Sequence, residues 1–213
     1  MTRRPLVSRL ARDERGLALV EFAFVTPIIL LLGLTGAEFA NYITVRMRVS
    51  QLALRIVDDA ARIGTGSQLA AKTITETDIN DLFIGANQQS GTLNLAQRGR
   101  VVLSDLEPMA NPNTTNKYKI VWQRCYGAKT NYTRQYGTAG QTDLDGMGPS
   151  GRQVTAQDDN ATMFVEVYYE YQPLITTALL PTLTFTDTAA MAVRDRRDLT
   201  QIYNTEGATI ATC

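Results

Sequence analysis

Histidine is absent from these 213 residues. That single absence removes Ser-His-Asp and Cys-His nucleophilic catalysis, and most zinc sites with them. Excess charge is also missing: 21 basic and 21 acidic residues balance, so no general affinity for nucleic acid is implied. Cysteine occurs only at positions 125 and 213, and the chain has no internal repeat. Long apolar runs are scarce too. There is one, residues 17–39, interrupted only by Glu21 and Glu38.

That run is the first positive signal. Its 23 residues reach roughly 35 Å as a helix at about 1.5 Å per residue, enough to cross a bilayer. Residues 1–16 carry five arginines against Asp13 and Glu14. Such a flank stays in the cytoplasm, so the N-terminus is expected inside and the chain beyond about residue 40 outside. The apolar core is longer than that of a cleavable secretory signal and lacks a small-x-small end. An uncleaved signal anchor is the stronger competitor. In an oxidising compartment, a bridge between Cys125 and Cys213 is the simplest use of two cysteines, with two free thiols as the alternative.

Helical period continues past the apolar run. Val45, Val49, Leu52, Ile56, Ala60 and Ile63 form one stripe before Gly64-Thr65-Gly66 supplies a stop. A single helix over 17–63 would be about 70 Å long, lipid-facing first and sheet-facing later. Pro27 removes one backbone donor and predicts a kink near residues 23–27. A short capped helix is expected over 77–85, ending at Gly85. Period-two segments at 100–107, 117–126, 162–171 and 182–194 predict four strands. In the third, Met163, Val165, Val167 and Tyr169 alternate with Phe164, Glu166, Tyr168 and Glu170. One apolar and one mixed face predict a sheet covered by a helix on one side only. Leu179 and Leu180, between Pro173 and Pro181, are expected to tuck under that sheet. The fold class is therefore α+β: a long N-terminal transmembrane and stalk helix packed on a small antiparallel four-stranded sheet. Residues 64–213 form its extracytoplasmic domain.

Several motifs read better as structure than as chemistry. Residues 146–151 match G-x-G-x-x-G, but Pro149 and Ser150 sit inside the match and no helical pattern follows, so a glycine-rich turn is expected. Asp143 and Asp145 are weak calcium candidates, since calcium needs six to eight oxygens and no EF-hand loop is complete. No metal, no cofactor and no enzymatic activity are expected. The alternating charges Arg194-Asp195-Arg196-Arg197-Asp198 suggest a solvated, self-paired cluster after the last strand.

Glu21 is harder to set aside, because an ionisable group inside a membrane segment costs a few kcal/mol and points to a function. It lies five residues after Gly16. Cleavage between Gly16 and Leu17 would create an amino group that could pair with its carboxylate, on the same chain or a neighbour. Pairing two buried charges offsets desolvation, and removing one partner leaves the other uncompensated. The alternative is a glutamate favoured by the first helical turn and snorkelling to the headgroups.

The segment Gly16-Leu17-Ala18-Leu19-Val20-Glu21-Phe22-Ala23-Phe24-Val25-Thr26-Pro27 resembles the opening of TadE-like proteins, minor pilins (pseudopilins) of bacterial tight-adherence (Tad/Flp) type IV pili. Glu21-Phe22, Pro27 and the second acid in Gly36-Ala37-Glu38-Phe39 fit that pattern. The resemblance implies a pilin-like fold and removal of leader 1–16 by a prepilin peptidase. It also implies an assembly role for Glu21, Phe22 and Pro27. The implied partners are other pilins and pseudopilins, that peptidase, the inner-membrane assembly platform and the membrane itself, with no nucleic acid. The implied place is the bacterial inner membrane, single-pass with a periplasmic C-terminal domain, and then an adhesive pilus. Leu17 departs from the Phe common at the first mature position of type IVa pilins. The alternative function is an uncleaved, signal-anchored extracytoplasmic binding module, whose loop over 127–160 would hold a ligand such as calcium.

Overall fold

The computed structural model describes residues 15–67, 70–175 and 182–213. Leader residues 1–14, and Leu179, Leu180 and Pro181 of the expected tuck, lie outside the described residues. Helix α1 (Arg15–Ala60) has 46 residues, about 69 Å at helical rise, and runs through Pro27 as one element. Its first half is exposed among the described residues, with Phe22, Phe24 and Leu31 all open. Its second half buries Val49, Leu52, Ala53, Ile56, Val57 and Ala60, the stripe predicted by period.

Four strands, β1 (Gly99–Pro108), β2 (Tyr118–Tyr126), β3 (Thr162–Glu170) and β4 (Thr184–Ala192), form one antiparallel sheet in the order β2-β1-β3-β4. The odd positions Met163, Val165, Val167 and Tyr169 of β3 meet the buried face of α1 in the main core. Helix α2 (Glu76–Ser90) lies beside α1 and buries Ile79, Leu82, Phe83 and Ala86. Thr75 caps it: its hydroxyl accepts from the Asp78 amide, and Asp78 returns a bond to the Thr75 amide. This helix runs through Gly85, where a side chain would meet open space, and stops at Gly91 with φ 52°. Glycine weakened the helical signal without ending the helix. A 3₁₀ turn (Gly91–Leu93) and one turn of helix, α3 (Leu95–Arg98), lead into β1.

The sheet has two covered faces, not one. Residues of the 127–160 segment fold over the side opposite α1, where Leu106, Ile120, Met147, Ala156 and Phe164 make a second core. Two β2 residues hold the segment's edge: Tyr118 donates to Leu144, and the Ile120 amide donates to Gln141. The mixed face of β3 is thus buried, and Glu166 is fully inaccessible there. Alternation alone could not reveal a cover made of polar, glycine-rich chain. The G-x-G-x-x-G match belongs to this cover. Met147 and Val154 exchange backbone bonds across it, and Gly146 has φ 145° with a would-be Cβ 2.6 Å from the Val154 oxygen.

The cluster at 194–198 also differs from its expected solvated state. Arg197 is buried, and its Nη2 donates to the carbonyls of Ala60 (3.0 Å) and Ile63 (2.9 Å). Those are orphan acceptors at the negative end of the α1 dipole, so a guanidinium there terminates the helix. Arg194 reaches Asp58, and Asp195 accepts from Lys72. Arg194, Asp195 and Arg197 thus tie the chain to other elements, whereas Asp198 accepts locally from Thr200 and Tyr203. Cys125 and Cys213 are joined by a disulfide spanning 88 residues, which fixes the C-terminal tail against β2. The Cys125 amide also donates to the Ala211 carbonyl.

Candidate processing and assembly site

Gly16, Leu17, Glu21, Phe22 and Pro27 all lie on the exposed first half of α1. A side chain built at Gly16 would meet nothing within 4 Å, so no packing contact in this fold asks for glycine. Leu17 and Glu21 are four residues apart on one helix, hence on one face and one turn apart. An amino group created at Leu17 would therefore lie within reach of the Glu21 carboxylate. Glu21 itself is exposed and makes no hydrogen bond or ion pair with any described residue. Thr26 turns its hydroxyl back to the Phe22 carbonyl at 2.6 Å, one residue before Pro27 removes a helical donor. The exposed run has a mean hydropathy of 2.4 and is long and apolar enough to cross a membrane.

The second acid of the run is handled differently. Glu38 accepts from the Tyr171 hydroxyl at 2.6 Å through Oε1, and from the amides of Leu174 (2.9 Å) and Ile175 (3.1 Å) through Oε2. Asn41 Nδ2 donates to the same Tyr171 oxygen at 2.7 Å. One carboxylate at the end of the apolar run thus latches the chain after β3 onto the stalk. Tyr42, Tyr171 and Phe185 pack edge-on or tilted beside it, with centroids 5.0–5.7 Å apart. Sequence inspection marked Glu38 only as part of a motif. Its signal was a charge at the boundary of an apolar run, but its partner lay 133 residues away.

The 127–160 segment offers less as a ligand site than its composition suggests. Its polar groups are engaged in holding it down. Glu166 accepts from the Tyr132 hydroxyl (2.9 Å) and the Gln135 amide (3.0 Å). Burial raises the Glu166 carboxyl above the usual carboxylate range, only partly countered by those bonds. Burial and that nearby acid likewise push the Tyr132 hydroxyl up. Gln123 Nε2 donates to Ser104 and to the Gly137 carbonyl, while its oxygen accepts from Arg134 and the Ala139 amide. An open groove of about 410 Å³ remains between this segment and β4, lined by Tyr136, Arg152, Phe164, Thr186 and Ala190. Asp145 accepts from Lys117 at 2.6 Å, and Asp143 sits in the left-handed region at φ 59°. Among the described residues, no three His, Cys, Asp or Glu side chains converge as a metal site would require.

A family model described as TadE-like protein matches residues 16–64. The match starts at the glycine singled out above and ends with the turn where Arg197 closes α1. No curated protein and no solved structure matches the chain.

Proposed function

We propose that this chain, TadE-like over residues 16–64 and so associated with the tight-adherence pilus system, is a non-enzymatic minor pilin (pseudopilin). A prepilin peptidase removes the leader after Gly16. The new amine at Leu17 and the carboxylate of Glu21 then form the pair that admits a correctly staggered subunit into the filament or its priming complex. Phe22 and Pro27 shape the helix that enters that assembly. Until then α1 anchors the protein in the inner membrane, with the α+β domain on the periplasmic side. The assembled subunit contributes to the base or tip of an adhesive pilus. Its partners are other pilins and pseudopilins, the peptidase and the assembly platform.

The observation that carries this reading is the state of Glu21. An acid in an apolar, exposed run, without a partner among the described residues, stands one turn from the amine that cleavage would supply. Either charge alone is costly to desolvate, and the pairing of ammonium with carboxylate offsets that penalty for both. Mass spectrometry of the chain recovered from bacterial membranes tests the proposal. A mature start at Leu17 supports it; an intact leader on all of the protein points to the signal-anchored binding module. For that second reading the groove between the 127–160 segment and β4 is a described feature that could accept a ligand.

A further inference from the structure

The latch at Glu38 fixes where the domain sits along the stalk, and with it what the domain's lower rim must face. Residue 38 is one position from the end of the apolar run. The amides of Leu174 and Ile175 are held at that level by the Glu38 carboxylate. Leu183, whose carbonyl accepts from the Tyr171 amide, borders the same rim. Among the described residues this rim exposes large apolar side chains: Leu174 is 65% exposed and Leu183 45%, beside Phe39 at 64% and Ile43 at 40% on α1. The opposite end of the domain, around the α1 terminus, exposes Arg62, Ser67, Asp195 and Arg196 instead.

Charge follows the same division. Residues 171–186 contain no charged side chain, in a chain where one residue in five is charged. Glu38 has its oxygens occupied by three donors, and Glu170, just before Tyr171, is paired with Lys129, so neither presents a bare charge to the rim. Tyr42, half-buried, places an amphipathic ring at this level, as interfacial aromatics do where a helix leaves a bilayer, with the buried Tyr171 packed behind it. Among the described residues, the rim's exposed polar side chains, Gln172, Thr182 and Thr184, are uncharged, so seating it on lipid would desolvate no ion, and the surface is continuous with the apolar span of α1.

We infer that this rim is a second membrane contact, continuous with the span of α1. Leu174 and Leu183, together with Phe39 and Ile43, rest in the interfacial layer of the leaflet through which the helix exits. The domain is seated on the bilayer and does not stand off on its stalk. The inference rests on α1 crossing the membrane, and its test separates the two.

The full chain is reconstituted into phosphatidylethanolamine–phosphatidylglycerol vesicles containing lipids brominated along the acyl chain. In a Trp122→Phe background, single tryptophans are placed by Leu174→Trp, Phe39→Trp and Ile84→Trp. Ile84 is exposed on α2, away from the rim. Expected is loss of most fluorescence at 174 and 39 and no loss at 84. Quenching at 39 without quenching at 174 overturns the inference while leaving the span intact, and a blue-shifted yet unquenched 174 assigns the rim to a protein partner. No quenching at 39 overturns both. A measurement without substitution guards against misfolded variants. Wild-type protein in vesicles bearing a diazirine phospholipid should carry lipid adducts on peptides containing Leu174 or Leu183, and their absence alongside adducts on α1 refutes the contact.

Discussion

Glu38 and Tyr171 meet at 2.6 Å across 133 residues of chain, joining the end of the apolar run to the first residue after β3. Replacing Glu38 by Ala leaves the Tyr171 hydroxyl and two backbone amides without their acceptor. The site is partly open to water, so the loss should be near about 1 kcal/mol, roughly a fivefold change in local opening. Hydrogen exchange at Leu174 and Ile175 should accelerate by about that factor, with amides of β1 unchanged. Equal exchange in both proteins would remove the latch from this account.

Glu21→Ala is expected to spare cleavage after Gly16, because that variant keeps the glycine and the exposed helix around it. It should block incorporation into pili, since the amine at Leu17 would then lack its partner. Glu21→Gln should behave like Ala if the pairing is ionic. Normal piliation in either variant, scored by electron microscopy and immunoblotting of sheared filaments, would falsify the assembly role.

Cys213→Ser opens a loop of 88 residues and frees the tail that Cys125 and Ala211 hold on β2. Loop-closure entropy puts the loss of stability at up to about 4–5 kcal/mol. Urea unfolding in detergent, followed through the single Trp122, should show the midpoint fall. In wild type, neither cysteine should react with maleimide until reductant is added.

Asp105 supplies a pH signature. It is buried on β1, faced by Glu107, Arg197 and Lys119, and its carboxyl is raised well above the usual range, first by burial and then by Glu107. A raised folded-state value means the folded protein holds the proton more tightly than the unfolded chain does. This contribution is therefore complete below the unfolded value of about 4, and it is lost as pH climbs from there towards the folded value. Asp105→Asn should abolish that component, so stability between pH 5 and 8 should fall less steeply than in wild type. Superimposable pH profiles would show that Asp105 is not the group responsible. Arg197→Met should instead destabilise at every pH, by about 1–3 kcal/mol for each buried acceptor left unmet, because it strips the carbonyls of Ala60 and Ile63 at the end of α1.

Much of this architecture was legible because it depends on local period. The stripe from Val45 to Ala60 faces the sheet, since a 3.6-residue repeat puts those side chains on one side of any helix. The four strands lie within two residues of their alternating segments for the same reason. The motif at Gly16 was visible because its residues are contiguous in the chain, and the TadE-like match covers the same stretch. What local pattern cannot carry is pairing between distant groups. The cover over β3, the burial of Glu166, the seat of Arg197 and the latch at Glu38 each join residues 30 or more positions apart. Sequence alone therefore determined an α+β chain whose first helix is long and apolar enough to cross a membrane, with an ionisable group near its start. Only the tertiary structure decided which charges become buried ties and at what height the domain is held, because desolvation and hydrogen-bond geometry exist only once those segments meet.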